Sequence, residues 1–241
     1  MKSTWFYMAT IVIFFNFLSL AEAAPTTHYF VKMYGFANWR NAAAYSHTYG
    51  SFFRVTEQGD AVRVDISWIP QDEFMSGPGD MRMPAFGDFP GQNMSVVATN
   101  ARASSAFPAR TISAFGPYEI SADLFYRELA QSRRLFSGAI TYRGLDMSTA
   151  PSSVNCVHAI SRACGDFRTG ILLRGPSASW GLVQYCADEG LLSLQEVDSE
   201  WSSRLDGWNG VTYVGMPRRI GCNPSLSDND VTSADCDEGQ Q

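Results

Sequence analysis

The chain has 241 residues, 45% of them apolar and 17% charged, with a formal net charge of −6 at pH 7. That length suits one domain with embellishments and a sizeable core. The acidic balance disfavours nucleic acid and anionic membrane surfaces as main partners.

Lys2 precedes an apolar run through Ile11, Val12, Ile13, Phe14, Phe15 and Phe17 to Leu20, closed by Ala21-Glu22-Ala23. This pattern predicts a secretory signal over residues 1–23, and a mature protein that is secreted, extracellular or periplasmic. The run is interrupted by Asn16 and is short for a membrane span, and no later segment reaches the required ~20 apolar residues. Residues 24–221 then read as a single domain. His28 to Phe36, Tyr45 to Thr56 and Ala61 to Trp68 are rich in aromatic and β-branched residues and predict three strands, the last two joined by a turn at Gln58-Gly59-Asp60. Residues 70–92 hold Pro70, Gly77, Pro78, Gly79, Pro84, Gly87, Pro90 and Gly91 among Phe and Met residues, and predict an irregular insertion, either packed on the body or serving as a lid. Ser95 to Ala98 and Arg110 to Phe115 are expected to add two strands.

Ser121 caps a predicted helix with Leu124, Phe125, Leu129, Leu135 and Phe136 that stops at Gly138. A second helix opens at Cys156, capped by Ser153 or Asn155, and ends at Gly165. Phe167 to Leu173 reads as a strand. Trp180, Val183 and Ala187, then Leu194, Val197, Trp201 and Leu205, mark two more amphipathic helices. Residues 222–241 form an acidic tail whose Asp228-Asn229-Asp230 start fails the calcium-loop template. The sum is an α+β fold, a mostly antiparallel sheet packed against helices.

The chemistry centres on Asn155-Cys156, because a thiol at a helix start meets free backbone N–H groups that stabilise a thiolate and hold an oxyanion. Five cysteines are present, so in an oxidising compartment one stays unpaired within the chain. Four cysteines pair in three ways. Locality favours Cys164 with Cys186 and Cys222 with Cys236, leaving Cys156 free. A cysteine nucleophile needs a base, usually histidine. His158 lies two residues on, about 200° round a helix, and His28 is near the mature N-terminus. His47 is the remaining candidate, on a strand whose alternate residues Tyr45, His47, Tyr49, Phe53 and Val55 make the more apolar face, expected to meet a helix. An ordinary buried thiol and an ordinary buried histidine are the competing reading.

The strand piece His47-Thr48-Tyr49-Gly50-Ser51-Phe52 and the helix opening Asn155-Cys156-Val157-His158, in that order, resemble the circularly permuted papain-like group. That group includes lecithin:retinol acyltransferase-like enzymes and permuted relatives of NlpC/P60 peptidases. Together with Ile66-Ser67-Trp68-Ile69-Pro70 and Gly116-Pro117-Tyr118-Glu119-Ile120, the same pieces are similar to a family of uncharacterised secreted bacterial proteins. The papain-like resemblance covers about a quarter of the chain. It implies Cys156 as nucleophile and His47 as base, with an orienting polar group on the next strand. There Val62, Val64, Ile66 and Trp68 alternate with Arg63, Asp65 and Ser67. If the apolar face is shared with His47, Asp65 turns away unless a bulge resets the register. Asn155, Asp65 and Ser67 are thus the candidates for an orienting or oxyanion role.

No Gly-x-Ser-x-Gly elbow, phosphate-binding loop or His-Glu-x-x-His motif occurs, and the cysteines lack Cys-x-x-Cys spacing, so neither a metal nor a cofactor is expected. The resulting expectation is a secreted thiol-dependent hydrolase or acyltransferase acting on an amide or ester in a peptide, cell-wall or lipid substrate. The rivals are a non-catalytic binding or structural module of the same fold, and a lipid-handling protein using the Phe74 to Phe89 loop.

Overall fold

The computed structural model describes residues 26–36, 46–71, 87–106, 112–144, 152–165, 167, 175–195 and 197–208. The expected signal segment, most of the 70–92 insertion, the strand beyond Phe167, the acidic tail and Cys222 and Cys236 lie outside the described residues. In chain order the elements are β1 (Thr27–Phe36), β2 (His47–Thr56), β3 (Ala61–Ile66), β4 (Trp68–Pro70), β5 (Phe89–Asn93), α1 (Val96–Ala106), β6 (Ile112–Glu119) and α2 (Ala122–Phe136). They continue with β7 (Thr141–Tyr142), β8 (Ser153–Val154), α3 (Cys156–Ser161), α4 (Gly175–Asp188) and α5 (Ser199–Trp208).

Alternating aromatic and β-branched residues produce a four-stranded antiparallel sheet of order β3-β2-β1-β6. The β2–β3 hairpin closes as expected, with Gly59 at φ +93° and the N–H of Thr56 donating to the Asp60 carbonyl at 2.9 Å. After Ile66 the strand expected to run on to Trp68 breaks at Ser67. The chain then enters a second small sheet, β4-β5-β7-β8, in which only β7 and β8 run parallel. The fold is therefore α+β.

Both faces of the larger sheet are covered. On one, Val31, Met33 and Phe52 pack against Leu124 of α2, Ile160 of α3 and Leu182 and Val183 of α4. On the other, Phe30, Phe53 and Val55 pack against Leu205 and Trp201 of α5, while Asn100 of α1 takes a hydrogen bond from Tyr49 at 2.5 Å. Each large side chain so buried contributes about 1.5–3 kcal/mol. The disulfide Cys164–Cys186 joins the end of α3 to α4 across a Cα separation of 5.3 Å, the pairing that locality favours.

Several expectations are corrected. Ser95 to Ala98 begins a helix rather than a strand, because the Ser95 hydroxyl accepts the N–H of Ala98 at 3.1 Å and its carbonyl that of Thr99 at 2.9 Å, capping α1. The end of the 70–92 insertion is regular: Phe89–Asn93 forms β5, paired on both sides. Leu194 and Val197 precede α5 instead of belonging to it. The helix capped by Ser121 forms over Ala122–Phe136, with the Leu124 N–H donating to the Ser121 hydroxyl at 3.1 Å and Gly138 at φ +72° beyond its end.

Candidate active site

The site forms where β3 leaves the sheet. Pairing of β2 with β3 begins at Gly50 opposite Ile66, so His47, Thr48 and Tyr49 project past it toward the second sheet. The start of α3 packs against this end of β2 and against β4. β8 delivers the chain there, anchored by a double ion pair from Arg143 Nε and Nη2 to the two carboxylate oxygens of Asp88, both 2.7 Å, and by the Ser153 hydroxyl on Asp88 at 2.7 Å. Those bonds, the Arg143 ones foremost, hold the Asp88 carboxyl below its usual range. One residue after β8, Asn155 in extended conformation caps α3 by accepting the N–H of His158 at 2.8 Å. Asn155, not Ser153, is therefore the cap.

Cys156 is the free cysteine among the described residues and is 9% exposed, packed with Val157, Ala178 and Phe167. Backbone N–H groups of Thr48, next to His47 in sequence, of Val157 and of Cys156 itself lie where they favour the thiolate. Burial pushes the thiol up, and those N–H groups act against it. Tyr142, on β7 opposite Val154, stands close enough for its own pKa, raised well above normal mainly by burial, to be raised further by the Cys156 charge.

His47 is fully buried, with its ring stacked on Tyr49 at 5.2 Å and tilted against Phe36 at 5.7 Å. Nε2 lies 2.9 Å from the Ser67 hydroxyl, which is 2.6 Å from that of Thr99. Nδ1 has no hydrogen-bond partner, so imidazole and thiol are not hydrogen-bonded to one another here. Burial lowers the imidazole pKa to about 3, and at neutral pH the ring is uncharged.

Of the candidate orienting residues, Ser67 is the one that meets the imidazole. Asp65 is on the His47 face of the sheet, because Ser51 pairs with Asp65 and donates to it at 2.7 Å. This corrects the face assignment: Val64 and Ile66 face α2, α3 and α4, while the His47 face meets α1 and α5. Alternation misled because both faces are apolar, and register alone decides which residues share one. The Asp65 carboxylate is spent on Ser51, on the N–H of Val96 at 3.1 Å and on Arg63 at 3.1 Å. His28 pairs with Val55 at the far end of β2 and lies tilted against Trp201 at 5.1 Å.

The close approach of α4 completes the site. The carbonyl of Gly175 accepts the hydroxyls of Thr48 at 3.1 Å and Ser179 at 2.8 Å, and a Cβ at Gly175 would lie 2.7 Å from the His47 carbonyl. Thr48, Thr99, Tyr142 and Gly175 were not visible as site residues in the sequence. Thr99 is separated from Ser67 by 32 residues, and its only local signal is the Ser95 cap that starts α1. Among the described residues no cluster of ligating side chains that could hold a metal ion occurs, and no helix is long and apolar enough to cross a membrane. No protein family, curated protein or solved structure was found to match the chain.

Proposed function

We propose that this protein is a thiol-dependent hydrolase or acyltransferase of papain-like, circularly permuted architecture, acting on an amide or ester outside the reducing cytoplasm. The observation that carries the reading is adjacency in β2: the Cys156 sulfur lies by the backbone N–H of Thr48, and the adjoining residue, His47, holds its ring on Ser67 with Nδ1 unpartnered. The disulfide Cys164–Cys186 supports an oxidising compartment.

In this mechanism both groups start neutral. As Cys156 Sγ attacks the substrate carbonyl carbon, its proton passes to His47 Nδ1 and the carbonyl π electrons move to oxygen. Collapse of that intermediate expels the amine or alcohol, which takes the proton from Nδ1. Water or an acceptor hydroxyl then attacks the thioester, losing its proton to Nδ1, and the thiol is regenerated. The second reading, a non-catalytic module, is favoured by the burial of the thiol and its raised pKa.

Alkylation of Cys156 by iodoacetamide separates the two. For the enzyme, Cys156 is labelled in the folded protein, His47→Ala slows labelling at least tenfold, and His158→Ala leaves the rate unchanged. Equal rates in all three proteins sink the dyad and leave the module.

A further inference from the structure

The imidazole bond to Ser67 has a polarity that the neighbouring groups determine. Thr99 Oγ1 is 2.9 Å from the carbonyl of Ser95 and 2.6 Å from Ser67 Oγ. A carbonyl only accepts, so the single Thr99 hydroxyl proton goes to Ser95 and Thr99 Oγ1 is left as an acceptor toward Ser67. The Ser67 proton then goes to Thr99, and Ser67 Oγ has only a lone pair to offer the imidazole. The Nε2 atom, 2.9 Å away, must be the one bearing hydrogen. A second argument agrees. Nδ1 is buried without a partner, and an orphaned buried N–H is rarer in folded proteins than an under-used acceptor.

We propose that Thr99 and Ser67 are positioning residues, a two-hydroxyl relay anchored on the Ser95 carbonyl that locks His47 as the Nε2–H tautomer and reserves Nδ1 as a bare acceptor. The tautomer stands on hydrogen-bond counting alone; that Nδ1 receives the Cys156 proton rests on the Cys-His reading above. Ser67, Thr99 and His47 are each fully buried, so water does not compete for these bonds. When Nδ1 takes a proton the ring keeps its Nε2–H on Ser67, and no group in the relay has to turn. α1 thus acts on the site from the opposite side of the sheet to α3, through one side chain.

Nitrogen-15 NMR of the imidazole in the full protein tests this, because protonated and bare ring nitrogens resonate far apart. The wild type is expected to show Nε2 protonated and Nδ1 bare at pH 7. In Thr99→Val the Ser67 proton loses its acceptor and turns to Nε2, which flips the ring to Nδ1–H; Thr99→Ser keeps the wild-type tautomer. A wild-type ring in the Nδ1–H form, or a folded Thr99→Val protein still in the Nε2–H form, overturns the proposal. If Thr99→Val does not fold, the wild-type spectrum decides alone. Alkylation of Cys156 is read alongside: it is expected to fall at least tenfold in Thr99→Val and to recover in Thr99→Ser. Should the tautomers behave as proposed while His47→Ala leaves alkylation unchanged, the relay stands and the dyad falls.

Discussion

Glu128 is a buried carboxylate whose burial is costly. It sits on α2 with both carboxylate oxygens buried and without a hydrogen-bond partner. Around it are Val31, Met33, Phe52, Leu124, Ile160, Leu182, Val183 and Leu192, with the Cys164–Cys186 disulfide. Burial raises its pKa well above the usual value, so the native state holds it as the neutral acid. The folded form therefore binds a proton that the unfolded chain has released above its ordinary pKa near 4.5. Stability from this group is fully present below that pH and declines as pH rises toward the folded-state pKa. His47 acts oppositely. Its pKa falls from 6.5 to about 3 on folding, so its contribution is intact above 6.5 and lost as pH drops toward 3. Urea titrations across pH are expected to show stability falling on both sides. Glu128→Met removes the alkaline loss and raises stability at pH 7 by about 1–3 kcal/mol. An unchanged alkaline limb in Glu128→Met would place the carboxylate elsewhere than in this apolar pocket.

At the level of elements, a local signal exists for whatever the chain decides locally. The helix from Ser121 to Gly138 was legible because its cap, its apolar spacing and its terminating glycine all lie within eighteen residues. The β2–β3 hairpin was legible for the same reason. The break at Ser67 was not, since it depends on Asn93, 26 residues away, whose side chain accepts the Ser67 N–H at 2.8 Å and donates to the Asp65 carbonyl at 2.8 Å. Nor was the approach of α4 to β1 and β2, which depends on glycine at two positions. A Cβ on Gly35 would lie 2.5 Å from the Gly175 carbonyl, and one on Gly175 would meet the carbonyls of Phe36 and His47. Backbone atoms cannot rotate out of the way. Gly175→Ala is therefore expected to cost roughly 2–3 kcal/mol and to shift Thr48, changing the alkylation rate of Cys156. Gly190→Ala is the control. Nothing lies within 4 Å of a Cβ there, and its cost of about 1 kcal/mol comes only from the positive φ of +72°. Equal destabilisation by the two would show that close approach of α4 is not what Gly175 serves.

For the whole molecule, the decisive contacts link segments far apart in sequence. The thiol of α3 meets β2 at the Thr48 backbone, the imidazole of the adjoining His47 meets the relay from α1 on the other face, and Thr48 reaches Gly175 across 127 residues. Sequence could nominate Cys156 and His47 by residue type and setting, and count one cysteine as unpaired within the chain, but only the sheet register brings Ser67 rather than Asp65 to the ring. The disulfide secures this assembly by joining Cys164, just after α3, to Cys186 of α4. It closes 22 residues between Cys164 and Cys186, a span for which the loop-entropy model gives about 3 kcal/mol. It also ties the far end of α3 to α4, the two elements that bring Cys156 and Gly175 to β2. Replacing both cysteines by alanine should therefore do two separable things. Global stability should fall by about 2–4 kcal/mol, read from the urea midpoint. Alkylation of Cys156 should also quicken under conditions where the protein remains folded, because α3 is then free to draw the sulfur away from the Thr48 N–H and out of its buried setting. Loss of stability with an unaltered alkylation rate would mean that the bridge restrains only the unfolded chain, and that Asn155 and the Asp88–Arg143 anchor suffice to seat the thiol.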